Sequence, residues 1–396
     1  MGCTKYATDP RVRHPAGRLA STRTYTPDVI DTPSRAGFLS LAQPAARRIA
    51  LTSVERDRVG RTILVHGPAG AGKGAFVDDL LALFFCAEDD PRRRPCNACR
   101  GCRDARARTH PDLVVASPES WRDGRSSGES IVAAARRWLL EAAGAPVVAP
   151  RRIVLIEHAD AANEQIQNAL LKALEEPTDR HTFVLVADDP RALLPTIRSR
   201  CQPLRIGAVP RAELTAFLME ARRLPEDQAD VLARIANGLT GTALSFADDP
   251  ALLTWRRRVT AELLSLLGRG RADRFGSVRD LLDETTRLDH PVADGTEDDV
   301  RTPASAQRRA ATLIVETWLS LTRDLIVARA GRPELAPSRE LDPQLESVAA
   351  KLPSQELIAM AALLERIHDG LRENAAPRLA LEAAMLAWPF VATRAP

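Results

Sequence analysis

Residues 62–74 read TILVHGPAGAGKG. A short apolar run, Ile63-Leu64-Val65, feeds a glycine-rich turn, Gly67-Pro68-Ala69-Gly70-Ala71-Gly72-Lys73, and an amphipathic segment over 75–85 follows. Strand, glycine-rich turn and helix, in that order, are the context in which such a turn holds phosphate. The glycines let successive N–H groups converge on phosphate oxygens. The new helix turns its positive end toward them, and Lys73 is placed for the β/γ-phosphates. One position departs from the pattern. Ser or Thr should follow the lysine, because that hydroxyl holds Mg²⁺, and here the residue is Gly74.

Working outward, the apolar runs at 113–115, 152–156 and 182–186 predict three further strands. Between them lie helical periods at 75–86 and 131–143, and a helix with Ile166, Leu170, Ala173 and Leu174 on one face that Pro177 stops. Strands alternating with helices predict a parallel, three-layer α/β sheet occupying 36–207. Residues 36–60 have helical spacing ahead of the first strand, and 121–130, polar and glycine-containing, reads as a loop. Beyond about 208 no strand is expected. Short helices at 213–223 and 228–238 make a small helical lid domain, 208–250. Longer amphipathic helices at 255–267, 306–328, 355–373 and 378–386 make an all-α domain over 251–396, with a polar loop at 288–303. Residues 1–35 hold Pro, Arg, Ser and Thr without hydrophobic period and are expected to be a disordered extension.

Composition narrows the classes. A chain of 396 residues, 45% apolar, is long enough for two or three domains with substantial cores. Its 55 basic and 52 acidic residues leave a net charge of +3, too little for a global nucleic-acid field. No run of apolar residues has the length of a membrane span, and the N-terminal stretch has no apolar signal core, so a cytoplasmic protein is expected.

Four of the six cysteines are close together: Cys86, Cys96, Cys99 and Cys102. Two-residue spacings with a fourth thiol at a helix end suit one tetrahedral Zn²⁺, and four sulfur ligands leave no open position for water, so the site reads as structural. An iron–sulfur cluster is the competing occupant. Arg92, Arg93, Arg94, Arg100 and Arg103 surround the thiols and would favour thiolates; they could instead bind nucleic acid or form a solvated face.

The third predicted strand ends in Glu157-His158-Ala159-Asp160. In a working phosphate-loop ATPase an acidic pair at this point contacts Mg²⁺ and orients water. Glu157 can stand for the first acid, but His158 occupies the place of the second. Glu157 and Asp160 capping the next helix is the alternative. After the fourth strand comes LLPTIRSRCQ, 193–202, whose arginines suit either a phosphate, by their forked donors, or a surface ion pair.

With GPAGAGKG at 67–74, CAEDDPRRRPCNACRGC at 86–102, HPDLVV at 110–115, NALLKALEEP at 168–177, LLPTIRSRCQ at 193–202 and NAAPRLALE at 374–382, the chain resembles the clamp-loader branch of the AAA+ ATPases. Within it, the resemblance is to the delta-prime family of the bacterial DNA polymerase III loader, and it spans about 36–390. It implies an AAA+ module with an inserted zinc module at 86–102, a lid, and a C-terminal helical collar for oligomerisation. The implied partners are gamma/tau motor subunits and delta in a hetero-oligomeric ring, and, through the complex, the sliding clamp and primer-template DNA. The family's Ser-Arg-Cys motif falls on Ser199, Arg200 and Cys201, so Arg200 is expected to serve a neighbour's ATP as an arginine finger. Gly67, Gly70, Gly72, Lys73 and Glu157 form a degenerate nucleotide site. The related gamma/tau motor is expected to have Lys-Ser or Lys-Thr, Asp-Glu and an arginine in the lid. This chain has Lys73-Gly74, Glu157-His158 and Gly241-Thr242-Ala243, though the retained Lys73 leaves nucleotide binding without turnover open.

Overall fold

In the computed structural model, the described residues are 37–41, 43–175, 180–289, 304–337, 345–372 and 375–390. The expected extension at 1–35, Pro177 and most of the polar loop at 288–303 lie outside them. A first helix, α1 (Pro44–Glu55), precedes β1 (Thr62–His66), the phosphate loop and α2 (Lys73–Phe85). Then come α3 (Arg100–Arg106), β2 (Leu113–Ala116), α4 (Pro118–Asp123), α5 (Ile131–Ala142) and β3 (Arg152–Ile156). The unit closes with α6 (Glu164–Glu175), β4 (His181–Ala187), α7 (Pro195–Arg198) and β5 (Gln202–Arg205). All four pairings are parallel, in the order β2-β3-β4-β1-β5. Helices cover both faces, with one core around α2 and another around α5 and α6. This is the three-layer α/β unit that the strand–helix alternation predicts.

β3, β4 and β1 are neighbours, so the residues that leave their carboxyl ends share one edge of the sheet. That edge is where open α/β sheets bind ligands. It carries the phosphate loop from β1, Glu157 from β3 and Asp188 from β4.

Three readings are corrected here. A fifth strand, β5, exists at 202–205, where only Leu204 is buried along an edge containing Pro203. One apolar residue in four gives no period to read. The stretch 121–130 is not all loop: Trp121 is buried in α4, whose start is closed by a reciprocal capping box between Ser117 and Ser120. The 75–85 segment is less amphipathic than expected, because α2 is buried around most of its circumference, Asp78 and Asp79 included.

The small domain is a three-helix unit, α8 (Arg211–Arg222), α9 (Glu226–Ile235) and α10 (Thr240–Asp248), around Leu214, Leu218 and Ala233. The α-helical remainder comprises α11 (Pro250–Ser265), α12 (Arg271–Asp289), α13 (Ala304–Arg329), α14 (Leu345–Lys351), α15 (Ser354–Arg372) and α16 (Pro377–Ala387). They share one core that includes Trp255, Trp318 and Trp388.

Within this core Arg274 is 5% exposed. Its guanidinium donates to the carbonyls of Leu266, Arg269, Met385, Trp388 and Pro389 at 2.6–3.1 Å, tying α12 to the end of α16. Arg274→Met fills the space but strands those carbonyls. Hydrogen bonds to a charged group each contribute about 1.5–3 kcal/mol, so a loss of at least about 3 kcal/mol is expected for this unit. A urea melt followed by tryptophan fluorescence checks it, and an unchanged midpoint would show that the cluster contributes nothing.

Candidate functional site

The phosphate loop has the backbone its glycines imply. Gly67 has φ 154°, and a Cβ there would meet the Ile206 carbonyl at 1.8 Å. Gly70 has φ 75°, and a Cβ would strike Thr242 Oγ1 at 2.0 Å. The loop thus runs against both the end of β5 and the start of α10. The Gly70 carbonyl accepts from the N–H groups of Gly241 and Thr242, at 2.7 and 3.2 Å. Thr242 lies in the stretch 241–243 where a motor subunit is expected to have its lid arginine. Beside Gly74 nothing lies within 4 Å of an added Cβ, so the absent hydroxyl is not a matter of space.

Lys73 is buried and folds back on its own loop. Its ammonium donates to the carbonyls of Gly67 (2.8 Å) and Pro68 (2.9 Å) and pairs with Asp188 at 2.5 Å. Glu157, at the end of β3, is engaged by Arg108: Nη1 lies 2.6 Å from Glu157 Oε1, while Nε lies 3.0 Å from Asp78 Oδ1. Burial pushes the Asp78 carboxyl up, against the pull of Arg108. His158 takes a left-handed φ of 50°. Asp160 accepts the N–H groups of Asp188 and Asp189, at 3.0 and 2.9 Å, which fixes the turn after β4. Neither acid therefore caps the next helix; one holds an arginine and the other holds a loop.

The four thiols come together as the spacing implies. The Sγ atoms of Cys86, Cys96, Cys99 and Cys102 lie within 4.8 Å of one another and could hold a metal ion. Cys86 leaves the end of α2, and Cys99 caps α3. Backbone N–H groups aim at the sulfurs: Cys96 at Cys86 (3.3 Å), Cys99 at Cys96, and both Ala87 and Cys102 at Cys99 (each 3.4 Å). Burial would raise the Cys99 thiol, but the donors of Ala87 and Cys102 bring it down to about 7. Burial pushes the Cys86 and Cys102 thiols up, so the fit to a tetrahedral soft-ligand ion rests on four sulfurs gathered at one point. The surrounding arginines do less than expected. Arg92 and Arg93 sit within 4.0 Å of Asp90 and Glu88, and Arg100 lies 3.2 Å from Asp104, so much of their charge is spent locally.

Arg106 and Arg108 follow directly from this module. Arg106 reaches the fully buried Asp79 at 2.7 Å, whose other oxygen and the first share the N–H groups of Leu39 and Ser40. The HPD of 110–112 also has a structural role: the Asp112 carboxylate gathers the N–H groups of Val147, Val148 and Ala149, at 2.5–2.8 Å.

Arg200 follows α7 in a turn, with 39% of its side chain exposed. It donates to the Thr196 carbonyl (2.9 Å) and pairs with Glu175 (2.9 Å). The ion pair and the exposed guanidinium coexist. Cys201 beside it is buried, its thiol pushed up to about 12, and anchors the turn in the core. The loop's position is set by Gln167, which sequence reading missed. Its buried amide donates to the carbonyls of Ala162 and Ala192 and accepts from Leu194 N–H, at 2.7–3.0 Å. The spacing from 167 to 194 carries no local signal of that contact.

A family model described as "DNA polymerase III, delta subunit" matches residues 42–210. Those residues hold the phosphate loop, the thiols and Arg200. The "DNA polymerase III subunit delta'" of Bacillus subtilis (strain 168) is 32% identical over 198 residues, 50% of this chain and 56% of that protein. Over this segment the chain is similar to delta-prime subunits. The "DNA polymerase III subunit gamma/tau" of Mycobacterium tuberculosis (strain ATCC 25618 / H37Rv) is 28% identical over 342 residues, 83% of this chain and 57% of that protein. The chain thus spans a little over half the length of these curated relatives. A gamma subunit-related protein of Thermotoga maritima, of known crystal structure, is 17% identical, covering 87% of this chain and 97% of that one, with a TM-score of 0.40. Among the described residues, no helix is long and apolar enough to cross a membrane.

Proposed function

We propose that this chain is a non-hydrolysing, delta-prime-like subunit of a bacterial DNA polymerase III clamp loader. In that reading it lends Arg200 to the ATP site of an adjacent motor subunit while the ring loads the sliding clamp on primed DNA. One observation carries the proposal. Gln202 pairs with Ile63 in the parallel β5–β1 register, which puts Arg200 level with Arg61, ahead of β1. The phosphate loop begins at Gly67, beyond the other end of that strand. Six residue steps, from Arg61 through the five-residue strand to Gly67, separate the two levels, roughly 20 Å. An arginine at the amino ends of the strands is out of reach of its own phosphate loop, which supports a role toward a phosphate held by another subunit.

The site at 67–74 supports the same reading. Gly74 supplies no hydroxyl to Mg²⁺, and His158 stands where a water-orienting carboxylate is needed. The cysteine set is assigned to one structural Zn²⁺, which would link the end of α2 to the start of α3. The helices of 251–396 are assigned as the collar through which the subunit joins its ring. A gamma/tau-like ATPase is the second reading, favoured by the longer alignment to such a protein; three motor positions failing together stand against it.

Two measurements test the proposal. The purified chain should not turn over ATP, and Gly74→Ser should stay inactive because His158 is unchanged. Mixed with gamma/tau and delta subunits, the chain should complete a complex with DNA-stimulated ATPase. Mg²⁺-dependent turnover by the chain alone, lost in Lys73→Ala, would place it with the motors.

A further inference from the structure

At the nucleotide edge of the sheet, Lys73 of the phosphate loop and Glu157 at the end of β3 each already have a partner of opposite sign. Lys73 is 8% exposed and meets Asp188 at 2.5 Å. Asp188 leaves the strand next to β1, and its backbone N–H is pinned by Asp160, so the carboxylate is delivered to the loop from a fixed turn. On the metal side, Arg108 spans Asp78 of α2 and Glu157 of β3. Asp78 lies one helical turn past Gly74, so this guanidinium sits below the position that a motor subunit gives to its Mg²⁺-binding hydroxyl. Arg108 also holds a left-handed φ of 56°. That φ closes α3, with the Arg108 N–H on the Ala105 carbonyl at 3.0 Å and the Thr109 N–H on the Asp104 carbonyl at 2.8 Å.

We infer that the phosphate loop is occupied by the chain's own charges: Asp188 takes Lys73 in place of a phosphate oxygen, and Arg108 takes Glu157 in place of a divalent cation. A phosphate chain entering the loop must displace a carboxylate from the lysine and then face that carboxylate as a like charge. A divalent ion must displace a guanidinium that is bound on two sides. The Asp188 carboxylate matches one phosphate oxygen in charge, and the Arg108 guanidinium supplies one of the two positive charges of a divalent ion, so the phosphate-loop backbone keeps charged partners without a ligand. The inference rests on the reading of the chain as a non-hydrolysing subunit, and it assigns the specific residues that close the site.

The test uses the full-length chain and inorganic triphosphate, so that base recognition does not enter, with affinity read by calorimetry with and without Mg²⁺. Wild type should bind weakly and with no gain from Mg²⁺. Asp188→Asn keeps the size of the side chain and the backbone contact to Asp160 while removing the charge. It should bind triphosphate at least tenfold more tightly, still without a Mg²⁺ gain, because Arg108 stays on Glu157. Asp188→Ser should do the same, and Lys73→Ala in either background should restore the wild-type value. Equal binding by wild type and both Asp188 variants would overturn the first half. A tenfold or greater gain from Mg²⁺ in wild type, which needs no variant, would overturn the second. The trans role of Arg200 is measured in the assembled complex, so the two ideas can fail separately.

Discussion

Arg200→Ala, in a complex otherwise wild type, is expected to lower DNA-stimulated ATP turnover at the adjoining motor site by about 10³-fold, the lower end of what a trans arginine contributes in phosphoryl transfer. The whole complex loses the share carried by that site, and clamp loading falls with it. The isolated chain should be indifferent. The guanidinium and Glu175 are both well exposed, and such pairs contribute under about 1 kcal/mol, so melting and metal content should match wild type. Arg200→Lys should rescue poorly, since an ammonium cannot reproduce the planar fork of donors. Arg198, exposed two residues earlier in the same turn, is the internal control. The assay needs saturating subunit, so that weak assembly is not mistaken for lost catalysis. Equal rates with wild type and Arg200→Ala would remove the arginine finger from this chain.

The second large effect concerns the thiols. Purified protein should carry one zinc per chain, and Cys99→Ser should lose it, because Cys99 would supply a ligand and caps α3. Structural zinc in small peptides is bound with about 10–16 kcal/mol of apparent free energy, most of which is folding energy there. Here Cys86 and Cys102 are also packed against α2, so the loss should stay local. Protease should cut within 86–108 in the variant and spare it in wild type, while the circular dichroism of the sheet persists. Metal analysis that finds no zinc, or finds iron, would end the assignment.

The parts of the fold that were legible are those where burial is uniform. β1, β3 and β4 lie inside the sheet and read as unbroken apolar runs. β5 escaped because an edge strand buries one side chain, and α12 because its buried face includes Arg274, Thr285 and Thr286. Both threonine hydroxyls donate to the carbonyl four residues back, so they are satisfied inside the helix while reading as polar. The ligand types of the site were legible for a similar reason: four thiols, a lysine and an arginine lie in short local patterns. Their partners were not. Asp188 is 115 residues from Lys73, and Glu157 is 49 from Arg108, distances over which only the folded sheet sets proximity.

Gln167 has a consequence for timing. Its amide fastens the turn of Arg200 to α6, an element packed in the core, by contacts that involve neither the phosphate loop nor the small domain. An arginine placed that way is presented at the same height whether or not its own subunit has met a nucleotide. A motor whose fingers all depended on nucleotide would have to wait for each subunit in turn. In the proposed role, a finger on a segment fastened by that amide would need no nucleotide in its own subunit to be in place, and would act as a fixed point beside the sites that turn over.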